Sequence, residues 1–162
     1  INHKVHLNLF DSEEELIREM NRTMDSHRRN LGLVSPDAPL ISNLDVWANI
    51  ALIKQYHQNM PRDEAQRLAI DHLSRFNVEA IAHRRNPNLT GEERFYAMLL
   101  RAVMVPDAVI VIDRPFLIMP DLKDPKLINN ALTSVEDLFV QCHIFDFAWG
   151  QQRYRMNDAE QN

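Results

Sequence analysis

The apolar and polar positions along the chain predict a regular exchange of strands and helices, beginning with residues 4–10. In this stretch, KVHLNLF, apolar and polar side chains alternate, as they do in a half-buried strand. Two polar residues and three glutamates follow at 11–15 and suit the N-terminal end of a helix, which is predicted to run to about Arg29. LGLVS, residues 31–35, predicts the next strand. A strand, a helix and a strand in this order predict a βαβ unit with a parallel pair of strands.

The apolar spacing becomes helical beyond Ser42. Pro61 opens one of the predicted helices, because a missing backbone N–H costs nothing in the first turn. TGEERFYAMLLRAV, residues 90–103, predicts another helix with Phe95 on its apolar face. We therefore expect a helical subdomain at about 43–100.

The rest of the chain completes an α/β pattern. The later elements are a strand at 109–113, a helix beginning at Asp124 and Pro125, and a strand at 138–144. Residues 1–150 are thus predicted to form a single domain, in which a parallel sheet carries flanking helices and the helical subdomain. Residues 151–162 are predicted to form a polar, frayed tail.

Composition narrows the function classes. The chain has 162 residues, which is enough for one domain with a core, and its net charge of −5 argues mildly against nucleic acid. Cys142 is the only cysteine, so an internal disulfide and a thiolate metal cluster are not expected. No apolar run is long enough to span a membrane, and residues 1–10 lack the features of a signal peptide. We expect a cytoplasmic protein, or one peripheral to the inner face of a membrane.

The glycines exclude one common phosphate site from this sequence. The three glycines, Gly32, Gly91 and Gly150, are too far apart to form GxxxxGK[ST]. This P-loop motif (Walker A) wraps a phosphate with backbone N–H groups, which requires glycine.

Three segments carry further motifs: GLVSPDAPLISNLDVWANI at 32–50, LTGEERFYAMLLRA at 89–102 and VIVIDRP at 109–115. In order and spacing they resemble the ATP-binding cassette (ABC) ATPases of ABC transporters. The first looks like the Q-loop region, the second like the signature helix, usually LSGGQ or LSGGE, and the third like the Walker B strand. His143 stands about where this family keeps its switch histidine. The resemblance covers roughly 31–148 and implies a reduced ABC ATPase-like fold, related to the P-loop NTPases.

The departures from the family pattern imply a degenerate nucleotide site. Pro36 stands where the family has the Q-loop glutamine, and Glu92 stands where it has the second signature glycine. Arg114 replaces the glutamate that is the family's usual general base, and arginine cannot accept a proton at neutral pH. The vestigial positions are Pro36, Leu89, Thr90, Gly91, Glu92, Glu93, Asp113, Arg114 and His143.

The resemblance therefore implies a catalytically inert, ABC-ATPase-like protein with no catalytic residue, metal or cofactor, which binds or regulates a protein partner linked to a transporter. The partner would be an ABC ATPase, a transporter membrane subunit or a second copy of the chain. Candidate residues for the partner surface are Leu40, Ile41, Leu44 and Trp47.

Two other functions stay open. In the first, the chain is an ATP-binding subunit of an ABC transporter whose P-loop is missing or supplied elsewhere, and it would bind ATP and Mg²⁺. In the second, it is a structural dimerisation module that has no connection with nucleotides.

Simple structural roles are also open for the same residues. Thr90 and Glu93 have the spacing of a helix capping box. Asp113 is an ordinary acid at a strand end, and Arg114 is expected to pair with it, with Asp121 or with Asp124. Surface ion pairs of this sort contribute about 0–1 kcal/mol.

Overall fold

The computed structural model describes residues 3–124 and 126–155. The strands in this part of the chain are β1 (Val5–Phe10), β2 (Leu31–Val34), β3 (Ala108–Asp113) and β4 (Phe139–Phe147). The helices are α1 (Glu13–Ser26), α2 (Val46–Ile50), α3 (Leu52–Gln58), α4 (Arg62–Ser74), α5 (Gly91–Val103), α6 (Pro115–Ile118), α7 (Lys126–Ser134) and α8 (Gln152–Arg155).

The strands form one parallel sheet in the order β1-β4-β3-β2. This confirms the predicted α/β class with a parallel sheet and flanking helices. The predicted βαβ unit needs one correction, because β1 and β2 are parallel but lie at opposite edges with β4 and β3 between them. The apolar runs of β3 and β4 thus come to the middle of the sheet, where both faces are covered.

Helices cover the two faces of the sheet unequally. On one face, α1 packs against the sheet through Leu16 and Met20, which contact Val111 and Phe145, and it is the only one of the described helices in this cluster. On the other face, residues of α2, α4, α5 and α7 share one large core with the sheet. The helical region predicted at about 43–100 therefore packs into the same core as the strands.

β2 and α5 approach each other closely at Gly32. A Cβ atom at this position would collide with the carbonyl oxygen of Ala102. Glycine at 32 is therefore required by packing, and it lets the helix that carries the signature-like motif lie directly on the sheet.

The structure corrects the predicted ends of two elements beside the sheet. α1 ends at Ser26 and a 3₁₀ helix, Arg28–Asn30, leads into β2, so the predicted helix end at Arg29 is wrong. β4 continues to Phe147 instead of ending at 144, because the whole of β1 pairs with its second half, from Val5 opposite Cys142 to Phe10 opposite Phe147.

Two further predictions need correction in the helical parts. The helix predicted after Ser42 begins only at Val46, and Ala51 separates α2 from α3. The predicted frayed tail begins with the short helix α8, because the Tyr154 hydroxyl donates to Asp146 Oδ2 at 2.6 Å. Residues 156–162 of that tail, and Pro125 at the predicted start of α7, lie outside the described residues.

Within the described ranges, no helix is both long enough and apolar enough to cross a lipid bilayer.

Candidate functional site

The carboxyl ends of the four strands define the candidate site. β3 ends at Asp113, β2 is followed by Ser35, and β1 is followed by Asp11 and Ser12 before α1 begins. In open parallel sheets, ligands bind at this edge, because loops and helix N-termini converge there. The Walker B-like, Q-loop-like and N-terminal segments of the sequence therefore meet at one place.

Asp113 is completely enclosed by protein groups. Its side chain has 0% exposure, and its Oδ1 accepts a hydrogen bond from Arg114 Nε at 2.7 Å. Its Oδ2 accepts from Ser35 Oγ at 2.7 Å and from Arg114 Nη2 at 3.4 Å. Ser35 Oγ in turn accepts from the backbone N–H of Asp37 at 3.1 Å. Both carboxylate oxygens are thus engaged within the protein.

Arg114 turns the chain so that its guanidinium lies back over the end of its own strand. Its backbone is left-handed, with φ 41° and ψ 67°, and its N–H donates to the carbonyl of Phe145 at 2.8 Å. Such a conformation costs about 1–2 kcal/mol for a residue other than glycine. The hydrogen bond to Asp113 is the main cause that raises the pKa of Arg114, so the side chain is a permanent cation.

Two further carboxylates approach the same guanidinium. Glu13 Oε1, in the first turn of α1, lies 3.5 Å from Arg114 Nη1. Asp37 Oδ2, in the loop after β2, lies 4.0 Å from Arg114 Nη2. The prediction of an ion pair between Arg114 and Asp113 is confirmed. Within the described residues, the other ion-pair partners of Arg114 are Glu13 and Asp37, so the pairing predicted with Asp121 or Asp124 is wrong.

The connection from β1 to α1 is too short to wrap a phosphate. It consists of Asp11 and Ser12, and Ser12 Oγ accepts the backbone N–H of Glu15 at 3.2 Å as a helix cap. The cap satisfies one N–H that would otherwise be open to an anion.

The signature-like segment begins α5 as a capping box. Thr90 Oγ1 accepts from the backbone N–H of Glu93 at 3.1 Å, and Glu93 Oε1 accepts from the backbone N–H of Thr90 at 2.9 Å. The predicted capping box is confirmed. Gly91 lies against the end of α6, where a Cβ atom would come within 2.9 Å of the Ile118 carbonyl oxygen. A cleft of about 420 Å³ lies beside this contact and includes Glu92 in its wall.

Leu89 is buried beside the capping box, while Pro36 lies in the loop that follows β2. The assignment of these positions, with Thr90, Gly91, Glu92, Glu93, Asp113 and Arg114, to a vestigial nucleotide site stays a prediction. Among the residues that the structure covers, no group of three or more histidine, cysteine or carboxylate side chains is arranged to hold a metal ion.

The strand predicted at 138–144 would place His143 at its end, but β4 runs to Phe147, so His143 lies inside the strand. The likeness of His143 to the switch histidine stays a prediction. His143 pairs with Val111, whereas Asp113 pairs with Phe145 nearer to the carboxyl edge. Its half-buried ring stacks on His6, with 5.1 Å between ring centroids, and on His27, with 6.1 Å. Burial, and then the two neighbouring histidines, lower the pKa of His143.

The stability of the fold is expected to decrease as the pH is lowered, because the pKa of His143 is lowered in the folded state. Its lowered pKa means that, as the pH falls below about 6.5, the unfolded chain takes up the proton first. The contribution of the neutral ring is complete above that pH and is lost as the pH falls towards the lower pKa of the folded state. Urea unfolding at intervals from pH 8 to pH 5 measures this loss. His143→Phe should flatten the profile and the exposed control His57→Phe should not; equal profiles for the wild type and His143→Phe contradict the assignment.

The predicted partner surface needs correction at two of its residues. Leu40 and Trp47 are buried, so their side chains are not available to a partner in this conformation. Ile41 is 42% exposed and Leu44 is partly exposed. Leu44 lies in the wall of a cleft of about 340 Å³, which Trp47 also lines, and the Arg62 guanidinium lies over the Trp47 ring at 5.6 Å.

Two residues that organise this region were not selected from the sequence. Asn49 is buried; its Oδ1 accepts from the Ile41 N–H at 2.8 Å and its Nδ2 donates to the Ile41 carbonyl at 3.1 Å. Arg101 donates to the carbonyl oxygens of Ala38 and Pro39. Asn49 stands in the helix start LDVWANI, and Arg101 stands in the signature-like helix, so both were visible as polar residues inside apolar helices.

Comparison with known proteins supports the ABC ATPase family at low identity. No protein-family model matches the chain. The chain is 23% identical over 119 residues to an uncharacterized amino-acid ABC transporter ATP-binding protein, YhdZ of Escherichia coli, and this match covers 74% of the chain. It is 29% identical over 112 residues to the molybdate/tungstate import ATP-binding protein WtpC of Archaeoglobus fulgidus, covering 69% of the chain.

A third relative is the lipopolysaccharide export system ATP-binding protein LptB of Escherichia coli, 24% identical over 89 residues, or 55% of the chain. The chain spans less than half the length of each of these relatives: 46%, 45% and 37%, respectively. The parallel sheet, the helical segment and the order of the motifs are consistent with a reduced ABC ATPase-like fold.

Proposed function

We propose that this chain is an ABC-ATPase-like protein that does not hydrolyse ATP and that acts as a binding or regulatory partner in a transporter system. The observation that carries the proposal is the state of Asp113. Its two oxygens accept hydrogen bonds from Arg114 and Ser35, and its side chain has no exposed surface through which a Mg²⁺ ion or a metal-bound water could reach it. The proposed protein binds neither ATP nor Mg²⁺ as a cofactor.

The chemistry of the surrounding residues supports the same conclusion. Arg114 follows Asp113, where the resemblance expects a general base, and its raised pKa prevents it from accepting a proton. The first turn of α1 presents three glutamates, residues 13–15, instead of a phosphate-binding loop. Like charges about 4 Å apart near a surface repel by roughly 4 kcal/mol at an effective dielectric of 20, so a triphosphate is disfavoured there.

The exposed part of the segment after β2 is the proposed contact for a protein partner. Ile41 and Leu44 offer apolar surface, and the adjoining cleft has a charged rim that includes Arg62 and Arg85. An apolar centre with a polar rim is the usual anatomy of an interface. The partner is proposed to be an ABC ATPase, a transporter membrane subunit or a second copy, at the cytoplasmic face of a membrane. Against an active ATPase, the acid Glu92 would oppose that protein's nucleotide.

Titration with Mg²⁺–ATP tests the proposal directly. Isothermal calorimetry is expected to give no saturable binding in the micromolar range, and a phosphate-release assay is expected to give no turnover. LptB, an ATP-binding protein by name, serves as the positive control under the same conditions. Micromolar, magnesium-dependent binding by the chain would contradict the inert function.

A second candidate is an ATP-binding subunit whose P-loop is supplied elsewhere. It is favoured by one observation: the relatives are named ATP-binding proteins, and the matches cover less than half of the length of each of them. The same Mg²⁺–ATP titration, repeated after the chain is mixed with an isolated partner candidate, separates the two functions.

Light scattering tests the third function, a dimerisation module. A molar mass that stays that of a monomer at all protein concentrations would exclude self-association.

A further inference from the structure

One guanidinium at the carboxyl edge of the sheet is surrounded by carboxylates from three separate parts of the fold. Asp113 belongs to β3, Glu13 to α1 and Asp37 to the loop after β2. The nitrogen–oxygen distances are 2.7 Å, 3.5 Å and 4.0 Å, respectively. Each nitrogen of the Arg114 head group therefore faces an acid, and the side chain is only 12% exposed.

We propose that these groups form a guanidinium cradle, which Arg114 of the same chain occupies as a built-in cation. The Arg114 head group closes the strand ends against a diffusing cation and ties β3, α1 and the loop after β2 together. Removal of the side chain is expected to leave a site that binds a small guanidinium ion from solution.

The geometry favours a planar guanidinium over a metal ion or an ammonium group. Guanidinium carries five N–H donors in a rigid fork and meets carboxylates along several directions in one plane. Mg²⁺ and Ca²⁺ require oxygen ligands at about 2.0–2.6 Å around one centre. The three carboxylates here are spaced around a whole head group, and the described residues contain no metal-binding arrangement of acids.

The backbone of Arg114 gives independent support. Its left-handed conformation, φ 41°, is the one that glycine adopts without steric cost. Arginine at this turn is therefore strained, and its contacts offset that strain. A turn that served the backbone alone would be more stable with glycine.

This inference deepens the proposed function and rests on it in one respect: it names what fills the edge in place of a nucleotide. The two can fail separately. A chain that binds Mg²⁺–ATP but shows guanidinium rescue retains the cradle and loses the inert function. If the wild-type chain does not bind Mg²⁺–ATP and a folded Arg114→Gly variant shows no guanidinium rescue, the inert function is retained and the cradle is lost.

Chemical rescue of Arg114→Gly tests the cradle. The variant is expected to melt about 5–10 °C below the wild type, because a buried ion pair is broken. Methylguanidinium at about ten times its Kd should then raise the melting temperature of the variant by about 3–5 °C, because it binds only the folded state. The wild-type chain should not respond at the same millimolar concentrations, because Arg114 already fills the site.

Matched controls make the result specific. Arg75→Gly removes the arginine of an exposed pair with Asp137, so it should lose little stability and gain nothing from methylguanidinium. Methylammonium and Mg²⁺ should rescue Arg114→Gly less than methylguanidinium does. Should Arg114→Gly fail to fold, Arg114→Lys is the second variant, with an expected intermediate melting temperature and no rescue. Three results would contradict the cradle. Either variant could melt at the wild-type temperature, methylammonium or Mg²⁺ could raise the melting temperature of Arg114→Gly as much as methylguanidinium does, or a folded Arg114→Gly variant could show no rescue.

Discussion

Replacement of Asp113 by alanine is expected to lower the free energy of unfolding by about 3–5 kcal/mol, because it leaves a largely buried cation without its closest counter-ion. The carboxylate accepts from Arg114 Nε and Ser35 Oγ, each at 2.7 Å. In the variant neither donor can recover its full hydration. Urea unfolding followed by circular dichroism should show a lower midpoint with an unchanged slope.

Asp137→Ala is the matched control for this prediction. Asp137 makes the same kind of pair, with Arg75 nitrogens at 2.7 Å and 3.1 Å from its two oxygens, but its side chain is 61% exposed. Exposed pairs contribute about 0–1 kcal/mol, so the control should lose no more than that. Similar losses in the two variants would show that burial does not determine the strength of the Asp113 pair.

The strands and their class were predictable because their signals are local. The apolar run before Asp113 and the alternation in residues 4–10 each predict a strand without reference to the rest of the chain. The capping box of Thr90 and Glu93 was predictable for the same reason, since its partners are three residues apart.

The partners of Arg114 were not predictable, because they depend on tertiary packing. Glu13 and Asp37 are far from Arg114 along the chain, and only the sheet order brings the ends of their elements to the same edge. The sequence offered nearer acids, Asp121 and Asp124, as partners. The left-handed turn at Arg114 directs its side chain back over β3 instead.

Burial and strand pairing explain the other two corrections. Leu40 and Trp47 are candidates for a partner surface because they stand in the segment that resembles the Q-loop region, yet the core formed with α4 and α5 covers them. The sequence places His143 at a strand end because the strand is predicted to stop at 144, whereas β4 continues through Phe145, Asp146 and Phe147. Pairing with β1, which lies at the opposite end of the sequence, extends that strand.

The side-chain amide of the buried residue Asn49 holds the segment that carries Ile41. Loss of this amide is the second large decrease in stability that we expect. Asn49→Asp should cost about 3 kcal/mol at pH 7. The Nδ2 of Asn49 donates to the carbonyls of Ile41, Leu44 and Asp45 at 3.1–3.3 Å. The substituted carboxylate has no donor, so these three hydrogen bonds are lost and a buried negative charge faces the three carbonyl oxygens. The Ile41 and Asp45 carbonyls keep the backbone N–H groups of Leu44 and Asn49 as donors, respectively.

The measurement is again the urea midpoint, with Asn30→Asp as the matched control. The Nδ2 of Asn30 donates to one carbonyl, that of Asp107, at 2.8 Å in an exposed setting, so its loss should cost less than about 1 kcal/mol. If a protein partner binds through Ile41, its affinity should fall in a folded Asn49→Asp variant and stay unchanged in Asn30→Asp. An Asn49→Asp variant as stable as the wild type would mean that the amide does not hold this segment, and the proposed contact surface would lose its structural basis.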